Sequence, residues 1–373
     1  MEPQLAKNDW VPFQVVVHEL SRCRRAGIDI SQWVKWFAYD TVSHMAFGQN
    51  IGFVEQGKDV EGLIQAFHDM APMAGLVAAL PHIVNPLLES WLTDWYFMPT
   101  PGDGSGTGKI MQYRDNMLKN RLAHRHAKSH GDFLDNIMNA KNTDDGYMST
   151  EGIKVEALVL MVAASDTSAA FIGPFINNII QNKHIYSRLR QEIQQFESSG
   201  QLAAGVVTYE QTQNLPYFIA CIKESLRYSP SIPFIMPRVV SKGGIEINGV
   251  YVPEGTEIGA NPYVVHRNKE VFGEDAFIFN PDRWLEIEER TREMDKYILS
   301  WGYGPRICLG KNIAQTMTQK LCLEIPVAGI GIEACLGDIL GNAALMGLTG
   351  SSSLFWISIH ALDQEFWVDG YLK

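Results

Sequence analysis

The sequence contains no paired cysteines. Its five (Cys23, Cys221, Cys308, Cys322 and Cys335) are scattered over 373 residues, with none in a Cys-x-x-Cys spacing. That excludes a zinc knuckle or a dithiol redox motif and points to a reducing compartment. A basic block is also missing. The net charge is −11, and the most basic stretch, Arg114 to His130, reads as a solvated helix face. No nucleic acid is therefore expected as a partner. Charged residues recur through Met1 to Arg25, so that segment reads as neither signal peptide nor anchor. One uncharged run, Ile339 to Ser358, is rich in Gly, Ser, Thr and Asn, which argues against insertion in a bilayer. No internal repeat is present.

What is there is the composition of a globular protein: 46% hydrophobic and 20% charged residues, in a chain long enough to bury a sizeable core. Apolar and aromatic residues recur at helical spacing over Ile30 to Phe47, and Gly48 is a natural stop. Ala71 to Trp91 is apolar and broken by Pro72, Pro81 and Pro86, and Gly102 to Gly108 reads as a loop. The longest apolar helix is expected over Glu151 to Asn182, capped by Thr150 and kinked at Pro174. It is apolar nearly all round, which implies burial, and Asp166, Thr167 and Ser168 interrupt that surface. Thr208 to Gln211 fits a capping box, and Pro216 opens a helix to Tyr228. Short strands lie between residues 231 and 261, with Asn248-Gly249 as a hairpin turn. The expected fold class is mainly α with a minor β-sheet.

The most informative segment is Trp301-Gly302-Tyr303-Gly304-Pro305-Arg306-Ile307-Cys308-Leu309-Gly310. A cysteine follows a glycine-punctuated loop and immediately precedes a helix, expected over Lys311 to Lys320. Backbone N–H groups and the positive end of that helix then favour thiolate over thiol. Thiolate is the donor a haem iron needs, and the glycines allow backbone to approach a flat ligand.

This segment resembles the cysteine loop of the cytochrome P-450 family, with Trp301 in place of the usual Phe. The resemblance implies the cytochrome P-450 fold, with haem (heme, iron protoporphyrin IX) as cofactor and Cys308 as its iron ligand. It implies that Arg306 reaches a haem propionate and that Trp301 and Gly310 flank the cofactor. Lys223-Glu224-Ser225-Leu226-Arg227 is a second match. Alone, Glu and Arg three apart on a helix are usually surface decoration. In the family they are buried with a second arginine, which implies a structural triad of Glu224, Arg227 and Arg283, the last within Phe279 to Trp284. Ala163 to Ser168 resembles the oxygen-activation motif, with Ala164 where glycine is common. Asp166 and Thr167 would then manage protons. The bland alternative is polar side chains bonded to the preceding helical turn. Pro233 to Arg238 and Val265 to Gly273 are further matches, and Arg238 is a second implied propionate partner.

The resemblance runs from about Ile28 to Lys320, within one domain spanning 1–373 whose last part, 321–373, is atypical. The family's anchor and early strands and helices, one of which contacts the haem, are expected to be missing. Pro326 is expected to end the cysteine-side helix early. An imperfect gene model, such as a retained intron or a wrong start, would account for both ends, and transcript sequencing would test that. The flavour of Ile30 to Phe53 resembles fungal members, of the pisatin demethylase and benzoate hydroxylase groups. The implied activity is insertion of one atom of dioxygen into an apolar small-molecule substrate. Electrons would come from an NADPH-dependent flavoprotein reductase docking near Arg306 and Lys311. A haem-binding protein without turnover, or a non-functional fragment, are the alternatives. The family sits on the cytosolic face of the endoplasmic reticulum membrane, whereas a chain without the anchor is expected in the cytoplasm.

Overall fold

A computed structural model of the chain describes residues 30–69, 100–104, 106–123, 131–140, 147–202 and 207–327, with isolated residues at 75, 80 and 86. The amino-terminal segment to Arg25, most of Ala71 to Trp91, residues 124–130 and the tail containing Ile339 to Ser358 lie outside them. The helices are α1 (Ile30–Phe47), α2 (Phe53–Gln56), α3 (Gly106–Ala123), α4 (Phe133–Asn139), α5 (Thr150–Gln181), α6 (Lys183–Ser198), α7 (Tyr209–Gln213) and α8 (Pro216–Tyr228). After these come four short strands: β1 (Arg238–Val239), β2 (Ile245–Ile247), β3 (Val250–Val252) and β4 (Glu257–Ile258). Short helices α9 (Pro262–Val265) and α10 (Lys269–Phe272) are followed by a 3-10 turn at Pro281–Leu285, then α11 (Glu288–Asp295). A 3-10 turn at Gly304–Arg306 precedes the last described helix, α12 (Lys311–Val327).

These residues fall into two units. One takes in Tyr39–Ala163, the other Ile30–Ala38 with Ala164–Ile330 as far as it is described. In the first, α1 stops where expected: Gly48 has φ 70°, and its N–H donates to the His44 carbonyl at 2.8 Å. The buried Asp40 carboxylate accepts N–H bonds from Gly52, Phe53 and Val54 at 2.8, 3.2 and 2.8 Å, capping α2 from a distance. Burial raises its pKa against the pull of those bonds. Phe47, Leu118, Leu134 and Ile153 belong to this unit's core.

In the second unit, α6 buries Ile185, Leu189, Ile193 and Phe196, one stripe of a helix. Its Glu192 accepts from the free N–H groups of Tyr217 and Phe218, both at 2.8 Å, and so caps α8. The capping box of Thr208 and Gln211 is present, and Pro216 occupies the first turn of α8.

Among the described residues the strands form two antiparallel pairs, β1 with β4 and β2 with β3. Asn248 (φ 48°) and Gly249 (φ 79°) are both left-handed, as a two-residue hairpin turn requires.

Three boundaries differ from expectation. Helix α5 is capped by Ser149, whose Oγ accepts from the Gly152 N–H at 3.1 Å, and Thr150 is already helical. Helix α3 begins at Gly106, inside the stretch read as a loop. Helix α12 runs to Val327 because Pro326, in its last turn, sacrifices only one backbone bond. Pro174 sits within α5. By length and composition alone α5 could cross a bilayer, with mean hydropathy 1.6 over its most apolar window.

Candidate functional site

The cysteine loop is shaped by its glycines. Gly302 and Gly304 have φ 73° and 68°, values that disfavour any side chain. A methyl at Gly302 would also stand 3.4 Å from the Arg306 carbonyl oxygen. The loop closes where the Cys308 N–H donates to the Trp301 carbonyl at 2.8 Å. Helix α12 then begins, with the Ala314 N–H bonded to the Gly310 carbonyl at 2.9 Å. A methyl at Gly310 would meet Cys308 Sγ at 3.8 Å, an ordinary contact, so the sulfur does not itself exclude a side chain there.

Cys308 is exposed, whereas Cys221 and Cys322 are buried, and burial pushes both of those thiols well up. Around the exposed thiol the loop is apolar and open: Leu309 is 99% and Tyr303 73% exposed. Phe234, Ile235 and Val239, in the segment after α8, are exposed too. Arg306 and Arg238 are exposed. Arg238 Nη1 donates to the Pro237 carbonyl at 2.9 Å. Asp166 and Thr167 are half-buried in the middle of α5, which is helical throughout. Ser231 Oγ donates to the Thr167 carbonyl at 3.0 Å, and Ser168 Oγ to the Ala164 carbonyl at 2.7 Å. Ser168 is thus bonded to the preceding turn.

Glu224, Arg227 and Arg283 are brought together and buried. Arg227 Nη2 lies 2.7 Å and Arg283 Nε 3.2 Å from Glu224 oxygens. The carboxylate also accepts from the Asn280 N–H at 2.8 Å and from Trp284 Nε1 at 3.0 Å. Arg227 spends its other donors on the carbonyls of His266, Ala276 and Ile278 at 2.7, 2.6 and 3.0 Å. Arg283 reaches the Phe272 carbonyl and, at 3.0 Å, Asp275. The carboxylate therefore meets its two cations with further hydrogen bonds to complete its shell, the condition under which a buried ion pair is tolerated.

The end of α8 carries a feature with no spacing signal in the sequence. Its last helical bond joins the Ser229 N–H to the Ser225 carbonyl at 2.9 Å, and the three carbonyls beyond it lack helical partners. Each finds a different one: the Leu226 carbonyl accepts from Ser300 Oγ at 2.6 Å. The Arg227 carbonyl is paired with His266 Nδ1 at 2.9 Å and the Tyr228 carbonyl with Arg267 Nη2 at 2.8 Å. His266 Nε2 accepts from the Leu299 N–H at 2.8 Å, so the ring proton belongs on Nδ1. The ring is fully buried, and burial lowers its pKa from 6.5 to about 4. His266, Asn280, Trp284 and Ser300 were not singled out as site residues, although the first three lie inside segments that match the family.

An exposed thiol at a helix start, framed by exposed apolar side chains and near in sequence to an exposed arginine, is the donor set a haem asks for. The comparisons agree. The family model described as Cytochrome P450 matches residues 13–325. A cytochrome P450 monooxygenase of Aspergillus flavus is 31% identical over 306 residues, covering 80% of this chain and 58% of the relative. The monooxygenase ACRTS1 of Alternaria alternata is 32% identical over 302 residues, covering 81% of this chain and 80% of the relative. The chain thus spans less than two thirds of the Aspergillus relative's length. The crystal structure of the cytochrome P450DA heme domain superposes with a TM-score of 0.66 at 18% identity, covering 85% of this chain and 63% of that one. Fold, cysteine loop and sequence kinship converge, and the chain belongs to the cytochrome P450 family.

Proposed function

We propose that the whole protein is a haem-dependent monooxygenase. It would insert one atom of dioxygen into an apolar organic substrate and release the other as water. The observation that carries this reading is the exposed Cys308 thiol, placed by a glycine-built loop at the start of α12 and framed by exposed apolar residues. When bound, haem would supply the redox-active iron for dioxygen reduction, with two electrons from the reductase and two from the substrate. Cys308 would be the iron ligand. Its place immediately before the first turn of α12 supports that role. Arg306 and Arg238 would balance the propionates, and Trp301 and Gly310 would flank the ring. Asp166 and Thr167 would hold and pass protons from the middle of α5. Glu224, Arg227 and Arg283 support rather than react. Electrons would come from an NADPH-dependent flavoprotein reductase.

The family match crosses both units, which supports treating the chain as one functional domain. Two of its fungal relatives carry monooxygenase names, which supports a place among fungal secondary-metabolism enzymes. The pisatin demethylase and benzoate hydroxylase groups are the subgroup proposed. The cytosolic face of the endoplasmic reticulum is the location proposed for the whole protein. The test is the carbon monoxide difference spectrum of reduced, haem-supplemented protein beside Cys308→Ala. A strongly red-shifted Soret band that the mutant loses supports thiolate ligation. Without that band in the parent protein, the monooxygenase reading fails.

A further inference from the structure

The chain enters the cysteine loop through Leu299 and Ser300, and both are tied to the end of α8. Ser300 reaches it directly, through its hydroxyl on the Leu226 carbonyl at 2.6 Å. Leu299 reaches it through a side chain: its N–H donates to His266 Nε2 at 2.8 Å, and His266 Nδ1 bonds the Arg227 carbonyl at 2.9 Å. The next residue, Trp301, provides the carbonyl that accepts from the Cys308 N–H at 2.8 Å. An unbroken path therefore runs from the buried Glu224–Arg227 pair, through one imidazole, to the backbone bond that closes the cysteine loop. The ring is fully buried, with both nitrogens bonded. It packs edge-on against Phe272, with centroids 6.5 Å apart, so it has little freedom to re-aim.

We infer that His266 is a positioning residue for Cys308: its Nε2 holds the Leu299 N–H and so fixes the segment from which the cysteine loop is hung. The inference rests on the haem-thiolate reading for its consequence in the loaded protein, but the clamp itself is a property of the chain. Its two nitrogens can be separated by substitution. Asparagine places a polar atom near Nδ1 and is too short for Leu299, whereas glutamine places an acceptor near Nε2. A residue that merely stabilises the fold would suffer alike from both changes. A residue that positions the loop through Nε2 should tolerate glutamine and not asparagine.

Three readouts are compared in the parent protein, His266→Asn and His266→Gln. They are the exchange rate of the Leu299 amide, the rate of Cys308 alkylation by iodoacetamide resolved by peptide mass, and the carbon monoxide difference spectrum after haem loading. Loss of one hydrogen bond predicts exchange about tenfold faster in His266→Asn, with a changed alkylation rate and a partial shift to the unshifted Soret band. His266→Gln should stay near the parent in all three. The inference is overturned if both variants behave alike, or if Cys308 is unaltered in His266→Asn while Leu299 exchanges freely. Should His266→Asn fail to fold, loss of parental behaviour in His266→Gln alone overturns it. A parent protein without a thiolate-type band would refute the haem-thiolate reading, and exchange and alkylation in the haem-free chain would still decide the role of His266.

Discussion

At the scale of single residues, Glu224 and His266 make opposite electrostatic choices in the same buried neighbourhood. Glu224 is fully buried and meets two guanidinium groups, an indole N–H and a backbone N–H. Removing it leaves Arg227 and Arg283 buried and uncompensated. Glu224→Ala should therefore cost about 3–5 kcal/mol in urea unfolding followed by circular dichroism. Glu288→Ala, which breaks an ion pair whose side chains are both 71% exposed, should leave the midpoint unchanged. His266 instead stays neutral. Burial holds its pKa at about 4 against the ordinary 6.5, and the Arg227 and Arg267 guanidinium groups facing it push the same way. Because the folded value is depressed, its contribution is intact above pH 6.5, declines as pH falls and is gone near pH 4. The full difference is about 3 kcal/mol. Urea midpoints measured from pH 7 to pH 4.5 should fall in the parent protein, and more gently in His266→Gln. Burial raises the pKa of Asp40, Glu192 and Glu324, so they oppose this slope, and equally in both proteins.

At the scale of elements, the sequence was most legible where local chemistry decides the outcome. Gly48, the box of Thr208 and Gln211, Pro216 and the Asn248-Gly249 turn all act within a few residues of themselves, and each does what its chemistry dictates. At Gly249 nothing lies within 4 Å of where a Cβ would stand, so the constraint there is conformational. Gly249→Ala should loosen β2 and β3 by about 1 kcal/mol, seen as faster amide exchange over Ile245–Val252. The haem spectrum should not change. Element ends were less legible where neighbours one position apart compete, as when Ser149 rather than Thr150 caps α5. The Glu224–Arg227–Arg283 cluster was readable only through family resemblance, since an i, i+3 pair alone implies a surface. The part played by His266 was not readable at all. It depends on carbonyls left over at the end of a helix 39 positions earlier, and no spacing rule encodes such a debt.

For the molecule as a whole, the described cysteine loop and its supports belong to the unit containing Ala164–Ile330. A ligand bound only by the folded state stabilises it by mass action, about 2.7 kcal/mol at a hundredfold excess over its dissociation constant. Haem should accordingly raise the urea midpoint of the parent protein, and raise that of Cys308→Ala by clearly less. Equal shifts would mean that haem binds somewhere other than this loop.

The way α8 is finished also bears on the order in which the chain can settle during synthesis. Its own residues leave the ribosome first, yet the partner of its Arg227 carbonyl follows 39 positions later and that of Leu226 74 positions later. Until Ser300 emerges, the Leu226 carbonyl can be satisfied only by water, whereas those of Arg227 and Tyr228 find His266 and Arg267 earlier. A nascent chain halted just short of Ser300 would hold all of α8 with that carbonyl still lacking its protein partner. The helix end is completed only as the segment bearing the cysteine arrives, so the scaffold is finished together with the ligand it supports.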